Sequence, residues 1–266
     1  MHQELTGQHW LITGSTGIAA ATARLAAQSG ARVFIIGIDE NTCRELFAEL
    51  SVIGDGHGFA VADVSSAPAV EQAVAAAAQL PRIDALFNVA GISGRRFGDG
   101  PAHECTPEAW DVTLDTNAKS TWLMCRAVLR VMLEQSLDAR GLRGTILNMG
   151  SVLGGLSPEP KHFATHAYAA SKAAITGMSQ AMAAYYAPHK IRINVIAPSL
   201  VRTPMSARAQ GDAALLDYIT RKHPLGETML EPDDVAHAAL FLLSPAASRI
   251  TGEVLTVDAG WSVTNE

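Results

Sequence analysis

Charge, thiols and long apolar runs are all scarce in this chain, and each scarcity excludes something. Only 17% of the 266 residues are charged, with a formal balance of -6 and a pI near 5.8. Nucleic acid and anionic membranes require clustered basic side chains, and here these do not gather beyond pairs such as Arg95-Arg96. Neither partner is expected. The three cysteines, Cys43, Cys105 and Cys125, lack the spacing of a zinc site or a redox pair and read as reduced thiols in a reducing compartment. His162 and His166 lie four apart, but no carboxylate or thiol completes a metal set at recognisable spacing, so no metal is expected. No apolar run approaches the length of a bilayer span, and Met1 to Gly7 has neither the charged nor the apolar segment of a secretion signal. The expected location is the cytoplasm. Repeats and low-complexity linkers are also missing.

What is present is apolar residues, at 48%, in a length that suits one large α/β domain over 1–266. His9 to Thr13 reads as a strand, Gly14-Ser15-Thr16-Gly17-Ile18 as a glycine turn, and Ala19 to Gln28 as an alanine-rich helix. That succession suits a dinucleotide: glycines allow a tight turn and close approach, and the free amides of the helix start attract a pyrophosphate. It is equally compatible with a plain turn. Further strands are expected at Arg32 to Ile36, Gly58 to Ala62, Asp84 to Val89, Gly144 to Met149, Ile191 to Ala197 and Glu253 to Val257, alternating with helices. This alternation predicts right-handed crossovers and a parallel, doubly wound sheet with helices on both faces. Asp39, after the second strand, suits either a ribose contact or a helix N-cap. Arg95 and Arg96 suit an anionic substrate or, more simply, solvent. Thr106-Pro107-Glu108 starts a helix expected to reach about Glu134, with Asn117 in its middle. Leu153 to Thr165 reads as a loop over the site, and residues 205–226, polar and mixed, as a substrate lid.

The chemistry centres on Tyr168-Ala169-Ala170-Ser171-Lys172, which sets a phenol and an ammonium one helical turn apart. A cationic lysine beside it is expected to hold the tyrosine below its usual pKa of about 10, making it an acid/base near neutrality. The spacing alone is a weak signal. Ser151 strengthens it, because the apolar strand before it delivers a hydroxyl to the sheet edge where open α/β folds bind ligands.

Taken together, Thr13-Gly14-x-x-Gly17, Asp63-Val64, Asn88-x-Ala90-Gly91, Asn117, Ser151, Tyr168-x-x-x-Lys172 and Pro198 to Pro204 resemble the short-chain dehydrogenase/reductase family over essentially the whole chain. The resemblance leans toward its 3-oxoacyl-carrier-protein reductase-like and sugar- or polyol-dehydrogenase-like members. It implies a single-domain Rossmann fold with a seven-stranded parallel sheet, a nicotinamide cofactor, a small alcohol or ketone substrate, and a homotetramer or homodimer. By position, Tyr168 would be the acid/base and Ser151 would hydrogen-bond the substrate oxygen. Lys172 would bind the nicotinamide ribose, and Asn117 would hold a water that relays protons. Gly14, Ser15, Gly17 and Ile18 would line the pyrophosphate, Asp39 the adenosine ribose, and Asp63 with Val64 the adenine. Asn88, Ala90 and Gly91 would wall the adenosine side, and Pro198, Val201 and Thr203 would clasp the carboxamide. Three departures stand out. The glycine turn is one residue short and ends in Ala19, Val89 replaces a common asparagine, and the acid expected straight after the second strand is displaced by Gly37-Ile38 to Asp39. The acid favours NAD over NADP, and the altered turn keeps open a catalytically weak NAD(P)-binding sensor or scaffold. An epimerase or dehydratase of the extended branch lacks the chain length for its extra substrate domain.

Overall fold

Short runs of apolar residues hidden on both faces build the frame, as in the first, fifth and sixth strands, where every residue is buried. The computed structural model describes residues 5–156 and 160–264. Its strands are β1 (His9–Thr13), β2 (Arg32–Gly37), β3 (Gly58–Val61), β4 (Ala85–Asn88), β5 (Gly144–Met149), β6 (Ile191–Pro198) and β7 (Val254–Val257). They form one seven-stranded sheet in the order β3-β2-β1-β4-β5-β6-β7, with every pair parallel. The chain winds outward in one direction from β1 and in the other from β4. Their boundary opens a crevice at the C-terminal ends of the strands.

Helices cover both faces, as parallel crossovers require. On one face α1 (Gly17–Gln28), α2 (Glu40–Ile53) and α10 (Pro232–Leu243) enclose a core with Trp10, Ile12, Ile35 and Phe87. On the other, α3 (Ala67–Ala77), α5 (Ser120–Glu134) and α7 (His166–Tyr186) enclose a second core with Leu11, Ile36, Leu86, Ile146 and Ile193. A third cluster joins Val152 to Ala209, Leu215, Tyr218, Ile219, Met229 and Trp261.

One expectation, the loop after Leu153, needs correction, and two other segments gain detail. The helix begun by Thr106 is not uniform: α4 (Pro107–Leu114) passes through a π-helical turn, Asp115–Lys119, before becoming α5. Asn117 sits in that wide turn and is fully buried. The segment expected as a loop after Leu153 contains the 3₁₀ turn Val152–Gly154 and the short helix α6 (Pro160–Phe163), while Ser157, Pro158 and Glu159 lie outside the described residues. The polar segment 205–226 is largely helical, with α8 (Ala207–Gln210) and α9 (Ala213–Lys222) anchored through Ala209, Leu215 and Ile219.

Candidate active site

The glycine turn fits a phosphate by its unmet hydrogen bonds. Gly14 and Gly17 adopt left-handed conformations, φ +96° and +54°, which side chains rarely take. Thr16 precedes α1 without a side-chain cap, and no acid lies in the first turn. The first amides of α1 therefore point into the crevice with nothing to neutralise the positive end of the helix. The shortened turn is accommodated at Gly14: a Cβ there would stand 3.2 Å from that of Ala19. Ser15 Oγ lies 2.7 Å from Thr42 Oγ1, and Ile18 packs on the first core. Across the crevice, Cγ2 of Thr203 is 2.9 Å from where a Cβ on Gly17 would lie, so Thr203 faces the turn. Pro198 ends β6, and Val201 is buried and bridges to Leu230.

The β4 end forms the floor. Thr13 Oγ1 accepts hydrogen bonds from the amides of Val89 (2.9 Å) and Ala90 (3.1 Å), tying the loop to β1. Asn88 turns its amide inward and donates to Asn148 Oδ1 at 2.9 Å, and Asn148 donates to Ser179 Oγ of α7 at 2.8 Å. The side chain of Asn88 is thus a link between β4, β5 and α7. Gly91 lies against Asn117, whose Oδ1 would meet a Cβ there at 2.8 Å. Asn117 accepts from the Ile92 amide (2.8 Å) and donates to the Ile92 carbonyl and Ser171 Oγ (each 3.0 Å). Its amide is fully engaged as a clamp between the β4 loop and α7.

Ser151, Tyr168 and Lys172 converge beside that clamp. Ser151 follows β5 as the N-cap of a 3₁₀ turn, its oxygen accepting from the Leu153 amide at 3.2 Å while its hydroxyl reaches the Tyr168 phenol. Lys172 is buried, donates from Nζ to the Met149 carbonyl at 2.9 Å, and stands 5.5 Å from the centre of the Tyr168 ring. The expected sign of the tyrosine shift is overturned. Burial holds the phenol above its ordinary value, partly offset by the Ser151 hydroxyl beside it. The same burial pushes Lys172 down to about 8, so the lysine gives up charge stability instead of imposing it on its neighbour.

The remaining sites are scattered along the edge. Asp39 is exposed and caps α2, accepting from the Thr42 amide at 2.8 Å, which realises the N-cap reading and leaves its second oxygen free. Asp63 is exposed and accepts from Ser65, whereas Val64 is buried in the second core and turns its side chain away from the crevice. His162 lies among the rings of Phe163 and Tyr218, and no cluster able to hold a metal occurs among the described residues.

One participant is absent from every sequence motif. Asp99, only 5% exposed, accepts from the amides of Ala167 (3.0 Å) and Tyr168 (2.9 Å), and the His166 amide donates to the Gly100 carbonyl (3.2 Å). The β4 loop therefore holds the start of the helix that carries the phenol. A carboxylate is the natural ligand for those amides.

A serine, tyrosine and lysine beside an anion-accepting glycine turn at a sheet switch point invite comparison with known proteins. The family model described as enoyl-(acyl carrier protein) reductase matches residues 12–262. The chain belongs to the short-chain dehydrogenase/reductase family. Among curated members, the D-threitol dehydrogenase of Mycolicibacterium smegmatis is 37% identical over 97% of this chain and 94% of that protein. Among solved structures, that of gox2181 superposes with a TM-score of 0.89 at 32% identity, covering 98% of this chain and 97% of the other. A 3-oxoacyl-[acyl-carrier protein] reductase from Brucella melitensis, solved with NAD bound, gives 0.84 at 29% identity over 99% and 94%. Like its relatives, this short-chain dehydrogenase/reductase is a nicotinamide-dependent oxidoreductase acting on a CH-OH or C=O group.

Two outcomes follow from this geometry. Asp99→Asn removes the charge and one of the two acceptors at the head of α7, a loss of about 1.5–3 kcal/mol for hydrogen bonds to a charged group. Turnover and urea stability should both fall while NADH affinity holds; wild-type kinetics would show that α7 keeps its place unaided. The depressed pKa of Lys172 means the folded chain binds its proton less tightly than the unfolded chain. The burial cost is present in full below about pH 8 and is relieved as pH rises from about 8 toward the ordinary 10.5. Without cofactor, the chain should therefore gain stability over that window relative to Lys172→Met, by urea unfolding; parallel pH profiles would contradict the shift.

Proposed function

We propose that this enzyme interconverts a secondary alcohol and a ketone using NAD(H) in preference to NADP(H), with Tyr168 as acid/base. The observation that carries the reading is the convergence of Ser151, Tyr168 and Lys172 beside unneutralised helix-start amides. Bound in this crevice, a nicotinamide would supply the hydride chemistry at the carbinol carbon. Tyr168 gives a proton to the carbonyl oxygen in reduction and takes it back in oxidation. Ser151, whose hydroxyl meets the Tyr168 phenol, donates to the same oxygen and offsets charge growing there. Lys172 holds the nicotinamide ribose, and Asn117, which also fixes the loop beside it, holds a water that connects Lys172 to solvent as a proton relay. Gly14, Ser15, Gly17 and Ile18 receive the pyrophosphate, and Ala90 with Gly91 wall the adenosine side. Asp63 borders the adenine, and Val201 with Thr203 clasp the carboxamide. Asp39 has an oxygen free for a ribose hydroxyl and would repel a 2'-phosphate, and Ile38 beside it is 73% exposed and offers no cation.

We assign residues 205–226 as a lid over the substrate, because the cluster that anchors it begins at Val152, next to Ser151. We also infer a homotetramer or homodimer assembled through α5 and α7, on which Trp122 is 45% and Tyr185 66% exposed beside Met178 and Met182. Three free cysteines fit a cytoplasmic setting.

Tyr168→Phe deletes the proton donor and keeps the ring, so turnover should fall about 10²- to 10⁴-fold while NADH binding persists. Titration of the parent with NADH and NADPH at one ionic strength belongs with it. Near-normal turnover of the variant removes Tyr168 from the chemistry, and equal or tighter NADPH binding reverses the cofactor preference. Trp122→Glu should lower the mass seen by sedimentation; an unchanged mass moves the interface elsewhere.

A further inference from the structure

The glycine turn and the end of β2 approach too closely for a side chain to stand between them. A Cβ on Gly37, the last residue of β2, would lie 2.5 Å from Sγ of Cys43 and 3.2 Å from Oγ of Ser15. Cys43 is buried in the first core, where dense packing leaves its sulfur little room to withdraw. An acid at position 37 would collide with both neighbours. It stands instead two residues on, where Asp39 is the N-cap of α2 and no longer part of the strand. The shortened turn and the displaced acid, two separate departures in the sequence, meet in one packing arrangement.

Leaving the strand changes what orients the carboxylate. Asp39 is held by the first turn of α2: its Oδ1 accepts from the Thr42 amide at 2.8 Å, and its carbonyl accepts from the Thr42 hydroxyl at 3.2 Å. Thr42 is held in turn by the glycine turn, its Oγ1 lying 2.7 Å from Ser15 Oγ. A carbonyl can only accept, so with the Thr42 hydrogen given to Asp39 the Ser15 hydroxyl is the donor of the shorter bond. The base of the turn is tied as well, because the Gly14 amide donates to the Ile36 carbonyl of β2 at 2.7 Å. Thr42 thus bonds Asp39 twice and Ser15 once. It joins the acid assigned to the ribose to the turn assigned to the pyrophosphate.

We propose that the Ser15–Thr42 hydroxyl bond latches the glycine turn to α2, making Thr42 a positioning residue that aims Asp39 and so sets the choice between NAD and NADP. This rests on the reading of Asp39 given above. Thr42 acts through the carboxylate: with the latch intact, the free oxygen of Asp39 has a fixed place for a ribose hydroxyl and against a 2'-phosphate. With the latch removed, the start of α2 is released from the turn. The ribose bond then weakens, and the repulsion of a 2'-phosphate fades with it.

The test compares dissociation constants of NADH and NADPH, by calorimetry at one ionic strength, for the parent and for Thr42→Val, Thr42→Ser, Ser15→Ala and Asp39→Asn. Thr42→Val keeps the amide and the shape and deletes the hydroxyl. Its affinity for NADH relative to NADPH should fall about three- to tenfold, the size of one net hydrogen bond. Ser15→Ala should give the same fall and Thr42→Ser should keep the parental ratio. The double variant Ser15→Ala/Thr42→Val should fall no further than either single change, as one shared bond requires. A ratio unchanged in Thr42→Val or in Ser15→Ala, a loss shared equally by the two cofactors, or Thr42→Ser as impaired as Thr42→Val overturns the latch. Asp39→Asn separates the latch from the reading beneath it. If Asp39→Asn alters the ratio and Thr42→Val does not, only the latch falls; if Asp39→Asn leaves the parental ratio, the ribose reading falls and the latch with it. Should Thr42→Val fail to fold, Ser15→Ala carries the same test.

Discussion

Two hydrogen bonds from the amides of Ala167 and Tyr168 to one buried carboxylate fix the part of this molecule where we place the chemistry. The start of a 21-residue helix carries a partial positive charge and unpaired donors, and Asp99 meets both needs. Because Asp99 belongs to the loop leaving β4, the helix bearing Tyr168 and Lys172 is referenced to the strand beside the switch point. Lys172 then reaches the Met149 carbonyl at the end of β5, two residues before Ser151. The hydroxyl, phenol and ammonium thus share a frame set by backbone, although they come from separate elements.

Behind this frame lies a line of buried amides. Asn88, Asn148 and Ser179 connect β4, β5 and α7 through the sheet, and Asn117, bonded to Ile92 and Ser171, adds a second buried link from the β4 loop to α7. Buried polar groups are costly unless bonded, so each link favours one seating of α7 over nearby ones. Lys172 and Tyr168 pay for their position in a different coin, since burial raises one pKa and lowers the other.

Much of the architecture was legible in the residues, because apolar runs bounded by Gly, Pro and Asp repeat at the spacing of strand and crossover helix. Tyr168-x-x-x-Lys172, Ser151 and the glycine turn were legible for the same reason: their partners lie close in sequence or at strand ends. Asp99 was not, since its partners are 68 and 69 residues away and a lone acid in a glycine-rich loop has no pattern. The sign of the Tyr168 shift escaped too, because spacing reports the neighbouring charge and not the water excluded around it. Asn88 and Val64 sit at motif positions, yet one side chain enters a polar link and the other a core, because a motif records residue type and not the direction a side chain takes.

The π-helical turn at Asp115–Lys119 solves a problem of angular phase. Ala109, Thr113, Asn117, Thr121 and Cys125 are all buried, at strict four-residue steps. In an ideal helix of 3.6 residues per turn, each such step advances about 40°, so four steps would carry the stripe roughly 160° around the rod. The wider turn delays the rotation where Asn117 must face α7. One rod therefore keeps a single inward seam past the site, much as a leap day keeps a calendar aligned with the seasons.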